Sequence, residues 1–242
     1  MEVSVPVPNL LMVLVALSAA SFPPKPVPGA ERDTVAPSRG GALHILALGD
    51  SYTIGEAVAP EDRWPAQLAR RLRASGINAA EPDLVAKTGW TTDELAAGIA
   101  EARLRPRYDL VTLLIGVNNQ YRGLPIEQYR KQLRSLLGRA RDFAGGDPER
   151  VIVISIPDWG VTPFAADRDR NAIAAAIDIF NGINQEEAAR AGSRWVDVTG
   201  ISREAAADSA LVASDGLHPS AVMYRRWLQV LLPEAWAVLS RN

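Results

Sequence analysis

From residue 44 onward, apolar runs that suit buried strands alternate with stretches whose apolar residues recur every three or four positions. Residues 44–49 (HILALG) form a short apolar run ending in glycine and predict a strand. Trp64, Leu68 and Leu72 follow at a spacing of four, which is one face of a helix. Residues 83–86 (DLVA) predict a second, weaker strand. Thr91-Thr92-Asp93-Glu94 has the S/T-x-x-E form of a capping box and opens the next helix. Residues 109–116 (DLVTLLIG) predict a third strand, and Tyr129, Leu133, Leu136, Leu137 and Ala140 a helix stripe. Residues 151–157 (VIVISIP) are β-branched and apolar on both faces, the clearest strand of all. Ile173, Ile177 and Phe180 mark a helix, residues 194–198 a fifth strand, and Met223, Trp227, Val230 and Leu231 a last helix. Strands that are apolar throughout, alternating with amphipathic helices, predict an α/β domain: a parallel sheet of about five strands with helices on both faces.

The pattern does not reach the first forty residues. Residues 10–20 (LLMVLVALSAA) are an apolar run of eleven, well short of the roughly 20 needed to span a bilayer. The run suits the apolar segment of an export signal, with Ser18, Ala19, Ala20 and Ser21 offering small residues for cleavage. Its leading stretch carries only Glu2 where such signals carry Lys or Arg; a start codon set too far upstream or an uncleaved anchor is the alternative. Residues 22–41 hold five prolines (Pro23, Pro24, Pro26, Pro28 and Pro37) and read as an extended linker. The expected organisation is a signal over 1–21, a linker over 22–41 and one folded domain over 42–242. A periplasmic or secreted location is expected if the signal operates, and a cytoplasmic one otherwise.

In an open α/β sheet, ligands bind beyond the carboxyl ends of the strands. Four polar segments fall there: Gly49-Asp50-Ser51-Tyr52-Thr53, Lys87-Thr88-Gly89-Trp90, Gly116-Val117-Asn118-Asn119-Gln120, and Asp215-Gly216-Leu217-His218-Pro219 ahead of the last helix. Composition narrows what they can do. The chain has no cysteine and two histidines, which removes disulfides, thiolate metal sites, iron–sulfur clusters and a thiol nucleophile. A formal net charge of −2 argues against a dedicated nucleic-acid binder.

What remains is hydroxyl chemistry. Ser51 stands at a strand-to-loop turn and needs a base to become a nucleophile. His218 is the plausible base, because His44 opens a strand at the opposite end of the sheet. Asp215, three residues earlier, can reach the far ring nitrogen and fix the tautomer. Asp50, the neighbour of Ser51, competes for that part but reads as structural, bonding to nearby backbone N–H groups. Pro219 suits the first position of the last helix. A tetrahedral oxyanion needs donors, and the Ser51 N–H, the Gly89 N–H and the Asn118 amide can supply them. For Gly89 a plain turn, and for Asn118 a loop-bracing Asx-turn, are the competing readings. Asn119 reads as structural. Tyr52, Trp90, Tyr121 and Trp159 lie near the strand ends as candidate walls of a substrate pocket, with core packing as the equal alternative. Arg122 reads as a solvated charge.

Taken together, the GDS, KTGW, GVNN and DGLH segments resemble the four blocks of the GDSL, or SGNH, hydrolases, whose named residues are Ser, Gly, Asn and His. The resemblance runs from about His44 to the last helix. It implies a flavodoxin-like three-layer α/β/α sandwich and hydrolysis of esters or thioesters through an acyl-enzyme, with no metal and no cofactor. Two positions depart from the pattern: Tyr52 stands where Leu is commoner, and Asn119 where many members carry Asp. Neither position has a proton-transfer or oxyanion role.

The expected function is a serine esterase acting on a small-molecule carboxylic ester, short-chain or of the lysophospholipid type. An O-acetyl esterase acting on a glycan and an acyl thioesterase are alternatives within the same chemistry. The rival from another class is a flavin or phosphate binder using the GDSYTIG loop as a cradle, which gives no reason for Asn118, Asp215 and His218 to occur together.

Overall fold

The computed structural model describes Met1 and residues 41–241. The expected signal and linker therefore lie outside the described residues, apart from Met1 and Gly41. The elements follow the hydrophobic pattern. The strands are β1 (Ile45–Gly49), β2 (Asp83–Ala86), β3 (Leu110–Leu114), β4 (Val151–Ile154) and β5 (Arg194–Val196). They form one parallel sheet in the order β2-β1-β3-β4-β5. The helices are α1 (Ser51–Ile54), α2 (Trp64–Ala74), α3 (Thr92–Glu101), α4 (Val117–Tyr121), α5 (Ile126–Phe143), α6 (Arg170–Ala191), α7 (Thr199–Ser202) and α8 (Ala221–Leu239).

The crossovers of a parallel sheet carry the long helices onto two faces. Helices α2 and α8 pack against each other on one face, and α3, α5 and α6 pack in a row on the other. Every residue of β1, β3 and β4 is buried, as a sheet covered on both sides requires. Trp64 of α2 and Trp227 of α8 are fully buried in the layer between sheet and solvent.

Winding reverses at β1, which pairs with β2 on one side and β3 on the other, so Gly49 lies level with both Ala86 and Leu114. Chain segments leave this point toward opposite faces and open a crevice at the carboxyl end of the sheet.

Four of the five observed strands are shorter than the runs that predict them. β4 ends at Ile154, but residues 155–156 stay buried because their N–H groups find other acceptors: Ser155 N–H donates to Val196 O and Ile156 N–H to Asn181 Oδ1. Pro219 is not the first residue of the last helix. It stands before Ser220, whose hydroxyl caps α8 by accepting from Met223 N–H at 3.3 Å. A hydroxyl at that position satisfies a helix-end donor that a proline could not. Pro219 instead pairs with Val212 across a small antiparallel bridge that closes the loop carrying His218.

Candidate active site

Ser51 is the first residue of α1, directly after β1. Asp50 caps this one-turn helix, its Oδ1 accepting from Tyr52 N–H at 3.0 Å. The Ser51 N–H, at a helix start, has no intrahelical acceptor and stays available. Asp50 is wholly buried, and burial pushes its carboxyl up to about 7; its Oδ2 finds no partner among the described residues. Asp50 therefore acts on its own backbone turn, as expected from the sequence.

The turn before α8 supplies the second group. Asp215 Oδ1 accepts from Leu217 N–H at 2.9 Å and His218 N–H at 3.0 Å, while Oδ2 meets His218 Nδ1 at 2.5 Å. Burial pushes the Asp215 carboxyl up, but the His218 ring and the two backbone donors outweigh it and hold the group below its ordinary value. Gly216 makes this turn possible by adopting a left-handed φ of 73°. His218 is itself buried, and the Tyr52 ring stands edge-on to it at 5.5 Å.

The third and fourth groups come from the loops after β2 and β3. Gly89 has φ 85°, again left-handed. Asn118 lies in the first turn of α4, and its Nδ2 donates to Trp90 O at 2.9 Å, leaving the second amide N–H free to donate elsewhere. The same bond staples the Gly89 loop to α4. Asn119, fully buried, ties α4 to α3: Oδ1 accepts from Thr92 N–H at 3.1 Å and Nδ2 donates to Thr92 Oγ1 at 2.8 Å. The expected capping box is present at Thr91 and Glu94.

All four groups line one cavity of about 180 Å³. Its walls are Ser51, Gly89, Asn118 and His218 together with Tyr52, Thr88, Val117, Tyr121, Trp159, Phe164 and Leu217. Among the described residues no hydrogen bond joins Ser51 Oγ to His218; such bonds often tighten only with substrate bound. Of the four aromatics singled out from the sequence, Tyr52, Tyr121 and Trp159 line the cavity and Trp90 does not. The Trp90 ring lies instead against α3, where it fills the space that a Cβ on Gly98 would need.

Two contributors escaped the sequence reading. Phe164 sits in a three-residue 3-10 turn, Pro163–Ala165, too short to carry a period that would reveal it. Arg122 is more than a solvated charge: its Nη2 donates to Gly89 O at 2.5 Å while Nη1 lies 3.4 Å from Glu94, so it braces the Gly89 loop against α3. Its place one helical turn after Asn118 is the signal that could have found it.

Among the described residues, no group of three or more acidic, histidine or cysteine side chains could hold a metal ion. No described helix is long and apolar enough to cross a membrane.

The sequence profile of the GDSL-like lipase/acylhydrolase family matches residues 47–226, which include every segment of the cavity described above. The chain belongs to this family. It is accordingly an ester hydrolase, and its five-stranded α/β fold agrees with that of solved GDSL hydrolases. TesA is 22% identical over 81% of this chain and 98% of its own, with a TM-score of 0.60. A variant of Axe2, an acetyl xylan esterase from Geobacillus stearothermophilus, is 21% identical over 81% of this chain and 95% of its own, with a TM-score of 0.63. A lipase/acylhydrolase from Enterococcus faecalis is 22% identical over 79% and 94%, also with a TM-score of 0.63. At these identities the likeness is one of fold. No curated protein matches the chain.

Proposed function

We propose that this GDSL hydrolase is a serine esterase in which Ser51 attacks the ester carbonyl and His218, oriented by Asp215, serves as general base. The observation that carries the reading is that His218, paired through Nδ1 with Asp215, lines one cavity with Ser51 at the switch point of the sheet. As the Ser51 oxygen bonds to the carbonyl carbon, its proton passes to His218 Nε2. The resulting oxyanion accepts from Ser51 N–H, Gly89 N–H and the free Asn118 amide N–H. His218 then protonates the departing alcohol. A water activated by the same ring attacks the acyl-enzyme and releases the acid. Asp215 stays ionised throughout, stabilising the imidazolium.

A cavity of about 180 Å³ suits a short acyl group better than a long chain. Short-chain carboxylic esters are therefore the proposed substrates. The aromatic wall of Tyr121, Trp159 and Phe164 favours a second reading, an O-acetyl esterase acting on a glycan, because sugar rings stack on such surfaces. A panel of p-nitrophenyl esters of increasing chain length, run beside an acetylated glycan, separates the two. The apolar run at residues 10–20 supports an exported enzyme, which sequencing the N-terminus of the mature protein tests.

The mechanism itself is tested with a fluorophosphonate. Ser51 should carry the label, and Ser51→Ala should lose turnover by several orders of magnitude. Active enzyme that takes no label at Ser51 would overturn the assignment.

A further inference from the structure

The rim of the cavity carries a cation that the proposed chemistry does not use. Arg168 lies in the loop before α6, and its guanidinium stands over three aromatic rings at once. The distances are 5.3 Å to the Tyr121 centroid, 5.5 Å to Trp159 and 5.4 Å to Phe164. All three rings line the cavity that holds Ser51 and His218. They also pack on one another, with Tyr121 5.4 Å from Trp159 and Trp159 6.0 Å from Phe164. Trp159 is fixed in turn by its Nε1–H, which donates to Gln120 Oε1 at 2.9 Å.

Arg168 is held in place but not neutralised. Its one side-chain hydrogen bond among the described residues goes from Nη2 to the Tyr121 hydroxyl at 3.2 Å. Nearby Arg203 is paired with Asp158 and Asp178, whereas Arg168 forms no ion pair among the described residues. Of its acidic neighbours in sequence, Asp169 spends Oδ1 on capping α6. A guanidinium stacked on aromatic faces keeps its N–H edge free, and that edge matches a carboxylate or phosphate. Ordering the side chain on the rings in advance removes much of the entropy cost of binding.

The position says which half of the substrate meets it. The loop bearing Phe164 and Arg168 is tied to the turn that carries His218, since Phe164 N–H donates to Gly216 O at 3.0 Å. His218 is the group that protonates the leaving alcohol. The alcohol half therefore departs on the side where Arg168 waits.

We propose that Arg168 is a specificity-determining residue that binds an anionic group, carboxylate or phosphate, on the alcohol half of the ester. The proposal rests on the serine esterase reading of the same cavity. Three acetyl esters test it: 4-acetoxybenzoate, 4-acetoxyphenyl phosphate and the neutral 4-acetoxybenzamide. The wild-type enzyme should prefer at least one anionic ester over the neutral one in kcat/KM, and the larger preference identifies the anion. Arg168→Met should lower that ratio by roughly three- to tenfold, and Arg168→Lys should recover part of it, since a point charge remains without the stacked fork. In the wild type the preference should fade at about 0.5 M salt, and in Arg168→Met salt should have no such effect. An unchanged ratio in Arg168→Met, or no wild-type preference for either anion, overturns the proposal. Hydrolysis of 4-acetoxybenzamide that persists in Ser51→Ala overturns the esterase reading instead, whatever Arg168 does.

Discussion

At the scale of single residues, the site depends on groups whose neighbours fix their state. Asp50 is the clearest case. The folded protein keeps its carboxyl protonated up to about 7, whereas the unfolded chain loses the proton near 3.8. Between those values the unfolded state binds fewer protons, so this residue costs stability as pH rises through the window and costs no more above it. Asp50→Asn keeps an Oδ1 to accept from Tyr52 N–H and removes the titration. Its stability relative to wild type should grow by on the order of 2–4 kcal/mol between pH 4 and pH 8 in urea denaturation. An equal difference at both pH values would show that Asp50 ionises like an exposed carboxylate. Ser51, Gly89, Asn118 and His218 could be picked out of the sequence because each follows an abrupt end to an apolar run, or precedes the start of one. Phe164 and Arg168 could not, because they meet the site through short turns and loops, which carry no period that would point to such a partner. Arg122 could have been found from its place one helical turn after Asn118.

Elements differ in how much of themselves they show in a sequence. Helix α5 buries Tyr129, Leu133, Leu136, Leu137 and Ala140, the very stripe its spacing predicts. Helices α1 and α4 are only four and five residues long. A single turn carries no period, and its existence rests on tertiary contacts such as the Asp50 cap and the Asn119–Thr92 pair. Helix α3 illustrates packing overriding propensity. Alanine is about 1 kcal/mol better than glycine within a helix. A Cβ at Gly98 would nevertheless fall 2.1 Å from the Trp90 ring. Gly98→Ala should therefore lower the melting temperature despite the gain in propensity. It should also slow ester turnover, because displacing Trp90 disturbs the carbonyl that Asn118 holds beside Gly89. A variant as stable and as fast as wild type would show that the ring has room to move.

For the whole molecule, the two layers of helices are held together by different means. Helices α5 and α6 share a charged cluster in which the fully buried Glu187 side chain meets Arg134 through two bonds of 2.9 Å and Arg130 at 3.0 Å. The Arg134 guanidinium foremost, with Arg130 beside it, holds the Glu187 carboxyl down to about 2. This depression contributes stability above the ordinary value of 4.5 that is lost as pH falls through about 2. Glu187→Gln should cost about 1–3 kcal/mol at pH 7, an intermediate loss because the arginines remain partly in water. Chemical denaturation of both proteins should show the gap closing toward pH 2. The other layer is joined by α8, whose Tyr224 hydroxyl donates to Tyr52 O at 3.1 Å and whose Ala221 O accepts from Gln67 of α2 at 3.1 Å. Through these bonds the last helix of the domain locks the turn that bears Ser51, near the domain's beginning. Contacts so distant along the chain form late in folding, because the loop they close must first be ordered. During synthesis, then, the turn that bears Ser51 gains this lock only once α8 has left the ribosome and docked.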